Sequence, residues 1–278
     1  MKTRCSILVL GAVLLAAGRL CSAEKPAFPV HEMPGGSFVV HASEVKEQVK
    51  PTSARADYCD QATPTLTRFE VHRTTLQPGA KPHDAHRHER EEMMILLDGE
   101  LEASIEGVYT RIGAGSVLFM ASNDLHGVKN VGEKPATYLV LNFYTAAGAK
   151  IPPGKKPAIS STVWDWAKIP VKSSPATERR DFVNASTRTL PKFELHVTTL
   201  HAGAPQHGGK HPDEQFFVMK EGQMDAVAGG QTIRVGPGDL FFAASDQEFG
   251  WHHVGDQPAT YYVVRFSTPA TPSAPAAH

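Results

Sequence analysis

The chain is short of cysteine, of net charge and of long apolar runs, and each shortage excludes something. Of three cysteines, Cys5 and Cys21 lie in the opening segment, so the rest of the chain holds Cys59 alone and cannot build a disulfide framework. A formal net charge of -1 gives no electrostatic case for nucleic acid or an anionic membrane surface as a partner. Beyond the opening segment no stretch reaches the roughly 20 apolar residues that a membrane-spanning helix needs. Strong helical periodicity is absent, as are a nucleophile triad and a phosphate-binding glycine loop. What is present is a globular composition, 41% hydrophobic and 21% charged, with 21 prolines and 23 glycines to make many turns. A length of 278 residues suits one large domain or two ordinary ones.

The opening segment reads as a secretory signal peptide over residues 1–23. Lys2 and Arg4 are followed by an apolar run from Cys5 to about Gly18, then by Cys21-Ser22-Ala23 before Glu24. A membrane anchor is the alternative, but the run is short for a bilayer. A lipoprotein reading is weakened by Leu20, where a small residue belongs. The expectation is a periplasmic or secreted protein with no membrane segment after cleavage.

The remainder repeats itself once. Residues 62–76, ATPTLTRFEVHRTTL, match residues 186–200, STRTLPKFELHVTTL, at an offset of 124. That offset also pairs Arg55 with Arg179, Asp57 with Asp181 and His83 with His207. After a one-residue gap, residues 112–140 match 235–263 at an offset of 123. The expected organisation is a first domain over 36–148, a linker over 149–161, a second domain over 162–267 and a disordered low-complexity tail over 268–278. Residues 24–36 are expected to be loosely ordered. Within each unit, short segments rich in Val, Ile, Leu, Phe, Tyr and Thr are broken by turn residues. Asp98-Gly99 and Glu221-Gly222 read as hairpin turns. The pattern predicts an all-β fold of antiparallel sandwiches or barrels. Met93–Leu97 and Phe216–Met219 are apolar on both faces, which suits burial between barrels or between subunits of a homodimer.

The chemistry concentrates in the first copy. His86 and His88 are two apart, so in a strand they share a face. Glu92 keeps that parity, with Met94 and Leu96 after it. Glu91 has the opposite parity and reads as a solvated or rim residue. His126 follows the polar turn Ser122-Asn123-Asp124, which can reverse the chain and return an imidazole to the same interior. Three imidazoles and one carboxylate can hold a divalent transition metal and leave coordination positions open.

This pattern resembles the two sequence motifs of the cupin superfamily. Gly79, His86, His88, Glu92 and Gly99 fit the first motif, with one extra residue after Gly79. Gly115, His126 and Asn130 keep the spacing of the second. Ala121 and Asn123 replace its proline and glycine, which leaves the turn geometry open. The resemblance spans both repeats and implies a bicupin, two tandem jelly-roll (double-stranded β-helix) barrels. It implies one metal, iron, manganese, nickel or zinc, held by His86, His88, Glu92 and His126.

In the second copy the same register gives Gly209, His211, Gln215 and Phe249, so one ligand of four survives. An alternative site from His207, Glu214, His252 and His253 is disfavoured, because parity turns Glu214 away from His211. Features present in both halves fit a structural role, His72 among them. His83 is kept as a candidate acid or base at the rim. Met94 and Met120 fit a pocket lining or simple packing. Three functions stay open. These are an exported metal-dependent enzyme on a small organic substrate (dioxygenase-, decarboxylase- or isomerase-like), a non-catalytic protein that binds a sugar or carboxylate through its metal, and a barrel merely stapled by metal. The enzyme is preferred. A pocket with open metal positions would favour it over the staple.

Overall fold

The structure is a computed structural model that describes residues 28–146 and 159–272. The expected signal peptide, residues 149–158 of the expected linker (149–161) and residues 273–278 of the expected tail (268–278) lie outside the described residues. Each sequence unit forms a barrel from one large and one small antiparallel sheet, as the all-β tandem-barrel expectation requires. The first large sheet has seven strands, with Glu91–Asp98 between Val117–Met120 and Ala136–Tyr144. Its small sheet is His126–Asn130, Glu100–Ile105 and Val108–Gly113. The second large sheet has eight strands around Glu214–Glu221, and its small sheet has four.

The two-faced strands explain how the barrels meet. Met94 and Leu96 point into the first barrel, among Leu118, Val128 and Val140. Met93 and Ile95 point the other way, into a core built from both units. There Phe69 meets Phe216 at 5.1 Å between ring centroids, Phe119 meets Phe193 at 5.1 Å, and Phe143 meets Phe266 at 5.2 Å. Burying each such ring contributes about 1.5–3 kcal/mol. The large sheets therefore lie face to face, and the chain closes on itself an interface of the kind expected between barrels.

Glu91 corrects the expectation of a solvated residue. It is completely buried in this interface, where its carboxylate accepts bonds from the Thr187 and Thr189 hydroxyls and from the Arg188 amide at 2.9 Å. Glu214 repeats the arrangement from the other side, accepting from the Thr63 hydroxyl at 2.8 Å and the Thr65 amide at 3.0 Å. The two acids are related by the internal duplication, so the interface has approximate two-fold symmetry. Burial raises the pKa of both carboxyls, and the hydroxyl and amide donors offset part of that rise.

The sheets also exchange edge strands. Phe38–Val40, from the start of the first unit, pairs with Leu240–Ala243 of the second barrel. Thr162–Trp164, from the start of the second unit, pairs with Val117–Met120 of the first. Residues 30–32, expected to be loose, form a hairpin with 38–40, because Phe38, Val39 and Val40 bury their side chains there. The tail starts later than expected: Thr268 is buried, and its hydroxyl donates to the Thr65 carbonyl at 3.0 Å. Asp98-Gly99 and Glu221-Gly222 are not hairpin turns. Glu91–Asp98 and Glu100–Ile105 belong to different sheets, and Gly99 (φ 82°) is the corner between them. The hairpin of the small sheet turns instead at Glu106-Gly107, both with positive φ.

Candidate metal centre

His86 sits just before the strand Glu91–Asp98 and pairs by backbone with His126 across the barrel mouth, each amide donating to the other's carbonyl at 3.0 Å. That pairing sets the first and last members of the cluster side by side. The turn before His126 closes although it lacks the usual proline and glycine. Asn123 takes the left-handed conformation (φ 66°), which asparagine tolerates better than most residues, and its amide donates to the His88 carbonyl at 2.8 Å. The departure from the motif is thus absorbed by one residue.

The structure brings the three expected imidazoles together, with donor atoms within 4.8 Å of one another, and sets Glu92 beside two of them. The rings of His86, His88 and His126 have centroids 4.6 to 5.1 Å apart. Glu92 Oε2 lies 3.3 Å from His88 Nε2, and Glu92 Oε1 lies 3.9 Å from His126 Nε2. His88 Nδ1 faces the Arg90 carbonyl at 2.8 Å, and His126 Nδ1 faces the Asp124 carbonyl at 2.8 Å. Each Nδ1 therefore carries the proton and each Nε2 turns a lone pair inward. His86 Nδ1, His88 Nε2, Glu92 Oε1 and His126 Nε2 are all buried without a hydrogen-bond partner. Four orphaned atoms in one place are costly unless something fills the gap between them. Three imidazole nitrogens and a carboxylate oxygen fit a divalent transition metal.

Electrostatics agrees with this donor set. Burial, helped by the neighbouring His83, His126 and His88, lowers the His86 pKa to about 4, and burial also lowers that of His126. Both rings are accordingly neutral near pH 7, the form that ligates. Burial pushes the Glu92 carboxyl up, but His88, His126 and Arg90 outweigh it and hold the group below its ordinary value.

His86 and Glu92 of the cluster line a cavity of about 500 Å³. His83 stands exposed at its rim, its ring 4.3 Å from that of His86 and its Nδ1 2.9 Å from the Asp84 carbonyl. Met94 lines the cavity, while Met120 packs in the barrel core. Among the lining residues that were not anticipated, three form a connected polar chain. Glu70 accepts bonds from Arg55 and His72, each at 2.7 Å, and from Asn142. Asn142 Oδ1 in turn accepts from Arg90 Nε at 2.6 Å, and Arg90 Nη2 lies 3.6 Å from Glu92 Oε2. His72 is thus hydrogen-bonded as a structural histidine, yet it also lines the cavity. The signal for Arg90 and Asn142 lay in the repeat, where their counterparts are Asp213 and Arg265.

In the second barrel the same wall carries Gly209, His211, Gln215 and Phe249. Phe249 packs against Phe217 at 5.7 Å and Phe241 at 6.1 Å, and both of these stack on Trp251. The first barrel has Met94, Leu118 and Val128 at the positions of Phe217, Phe241 and Trp251. A cavity of about 260 Å³ in this barrel is lined by His196, His207, Tyr261 and Val263 among others, and by none of these rings. Glu214 is turned into the inter-barrel interface, away from His211, as its parity requires.

Comparison with known proteins accords with this architecture. The Cupin domain family matches twice, over residues 72–142 and 196–265. A search of curated proteins by sequence finds no match. Among solved structures, the chain is similar to Ylba from E. coli (14% identity, 86% of this chain and 94% of that one, TM-score 0.69). It is similar to a putative glyoxylate induced protein from Pseudomonas aeruginosa (14% identity, 86% and 95% coverage, TM-score 0.65). It is also similar to oxalate decarboxylase from B. subtilis (13% identity, 83% and 77% coverage, TM-score 0.62). At these identities the likeness shows the fold alone. The family match to both halves shows that this chain belongs to the cupins, as a two-domain member.

Proposed function

We propose that this protein is an exported, metal-dependent enzyme that acts on a small organic substrate bound in its first barrel. The observation that carries the proposal is a cluster of four buried, unpartnered ligand atoms, two of whose residues, His86 and Glu92, line an open cavity. A metal serving only as a staple belongs in a closed site, whereas this one faces space for a substrate. Iron, manganese, nickel or zinc suits the donors. When bound, the metal supplies Lewis-acid polarisation of a substrate oxygen. The chain supplies the rest: carbonyls that fix two imidazoles, a buried carboxylate, and His83 at the rim to take or give a proton. The similar fold of oxalate decarboxylase is in keeping with decarboxylase-like chemistry. The signal-like segment over 1–23 supports a periplasmic or secreted site of action.

The competing reading is a binding protein whose metal anchors a ligand without turnover. The two separate in a screen of metal-loaded protein against small organic acids, followed by product analysis and oxygen uptake. Turnover that stops on chelation and in His88→Ala supports the enzyme. Stoichiometric binding with no product in any assay supports the binding protein.

A further inference from the structure

On the basis of that metal-dependent reading, we propose that Arg90 is the substrate-binding residue of the first cavity and that the substrate class is a small carboxylate. The argument rests on how the two barrels use their guanidinium groups. Arg90 is held along one edge only: its Nε donates to Asn142 Oδ1 at 2.6 Å, and its plane lies over the Tyr144 ring, 5.7 Å from the centroid. Asn142 is buried and itself fixed, because its amide nitrogen donates to Glu70. The group oriented by this chain is a cation whose hydrogen-bonded partner is a neutral amide. Its nearest carboxylate is Glu92, 3.6 Å from Nη2 and one of the expected metal ligands.

The second barrel arranges the same wall in the opposite sense. Asp213 stands at the position of Arg90, and Arg265 at that of Asn142. There the guanidinium is satisfied directly: Arg265 Nε donates to Asp213 Oδ2 at 2.7 Å, and Lys192 reaches the same oxygen at 2.7 Å. Arg265 Nη2 also lies 3.4 Å from His211 Nδ1, on the side where the other barrel has its ligand cluster. So the barrel that lacks the ligand set pairs its cation with its own carboxylate. The barrel that has the ligand set keeps in its cavity lining a cation with no carboxylate hydrogen-bonded to it.

Charge bookkeeping points the same way. Arg55 and Arg68, the other guanidiniums of this cavity, are each bonded to carboxylates: Arg55 to Asp57 and Glu70, and Arg68 to Asp60. A bound divalent metal would engage the Glu92 charge and leave Arg90 the least compensated of the three guanidiniums; Lys50, also in the lining, is an exposed point charge. A carboxylate that places one end near the ligand cluster and the other against the Arg90 fork satisfies both, and a planar fork matches it in a way that a point charge does not.

The test uses the full mature protein loaded with manganese, with metal content measured on every sample. Acetate, glycolate and benzoate are titrated against their neutral amides, with binding read by calorimetry and by water-proton relaxation. The expected result is at least tenfold tighter binding of at least one carboxylate than of its amide. Arg90→Gln should remove that preference by weakening the acid at least tenfold and the amide little, while still holding one equivalent of metal. Arg90→Lys should restore the preference only in part. Equal binding of acid and amide by the loaded wild type, no carboxylate binding at all, or an undiminished preference in Arg90→Gln would overturn the assignment. A wild type that takes up no metal overturns the metal-dependent reading instead, and the metal assay reports that separately.

Discussion

Glu91 and Glu92 are adjacent acids, and the strand parity between them separates two roles. Glu92 faces the imidazole cluster, as the alternation from His86 and His88 requires. Glu91 faces outward, which was legible, but outward proved to be the inter-barrel interface rather than water. Its partners Thr187, Arg188 and Thr189 lie almost a hundred residues further along the chain, so no local pattern announces them. Burial raises the Glu91 pKa above its ordinary 4.5. A carboxyl with a raised folded pKa adds its full stability below the unfolded value, and that share is lost as pH rises above about 4.5. Glu91→Gln, which cannot ionise, should therefore compare worst with wild type near pH 4 and gain relative ground by pH 7.5. Denaturant midpoints of both proteins at the two pH values measure this, and a difference independent of pH would refute it. Removing one of the donors should cost stability more simply: Thr187→Val is expected to lower it by about 1–3 kcal/mol.

At the scale of elements, glycines that look alike in sequence do different work. Gly99 was read as a hairpin because an Asp-Gly pair between apolar runs is the usual sign of one. The strand after it crosses to the small sheet instead, a choice made by tertiary pairing that the pair itself does not encode. A Cβ at Gly99 would stand 2.7 Å from the Ala136 Cα and the Pro135 carbonyl, whereas one at Gly107 would meet nothing within 4 Å. Both have φ near 80°. Asparagine tolerates that conformation, so it isolates the steric difference. Gly107→Asn should change stability by less than about 0.5 kcal/mol. Gly99→Asn should cost about 1–3 kcal/mol through overpacking at the corner. Equal effects, read from unfolding midpoints, would mean that the corner is not the constraint. The strands themselves were legible by period and composition, and so was the turn that delivers His126. The left-handed Asn123 that closes this turn is a residue type that visits the conformation readily, which is why the missing glycine did no harm.

For the whole molecule, the internal repeat made two barrels legible, but not how they interlock. Exchange of Phe38–Val40 and Thr162–Trp164 depends on which sheet edge is open, and that exists only once both barrels are formed. Phe38 is buried and stacks on Phe242 at 4.9 Å, so the first unit's opening strand belongs to the second barrel's stability. Phe38→Ala should cost about 3–5 kcal/mol. Because one core is shared by both units, the loss should appear as a shift of a single unfolding transition; separate transitions for the two halves would contradict the shared core. The second barrel is filled with aromatic rings and shares this interface, while the first also carries the ligand cluster. The direct test of that division is metal content by elemental mass spectrometry, on untagged mature protein and on His86→Ala and His126→Ala. The account predicts about one equivalent of iron, manganese, nickel or zinc in the wild type and loss of it in both variants. A wild type that is metal-free and takes up none on titration would contradict it.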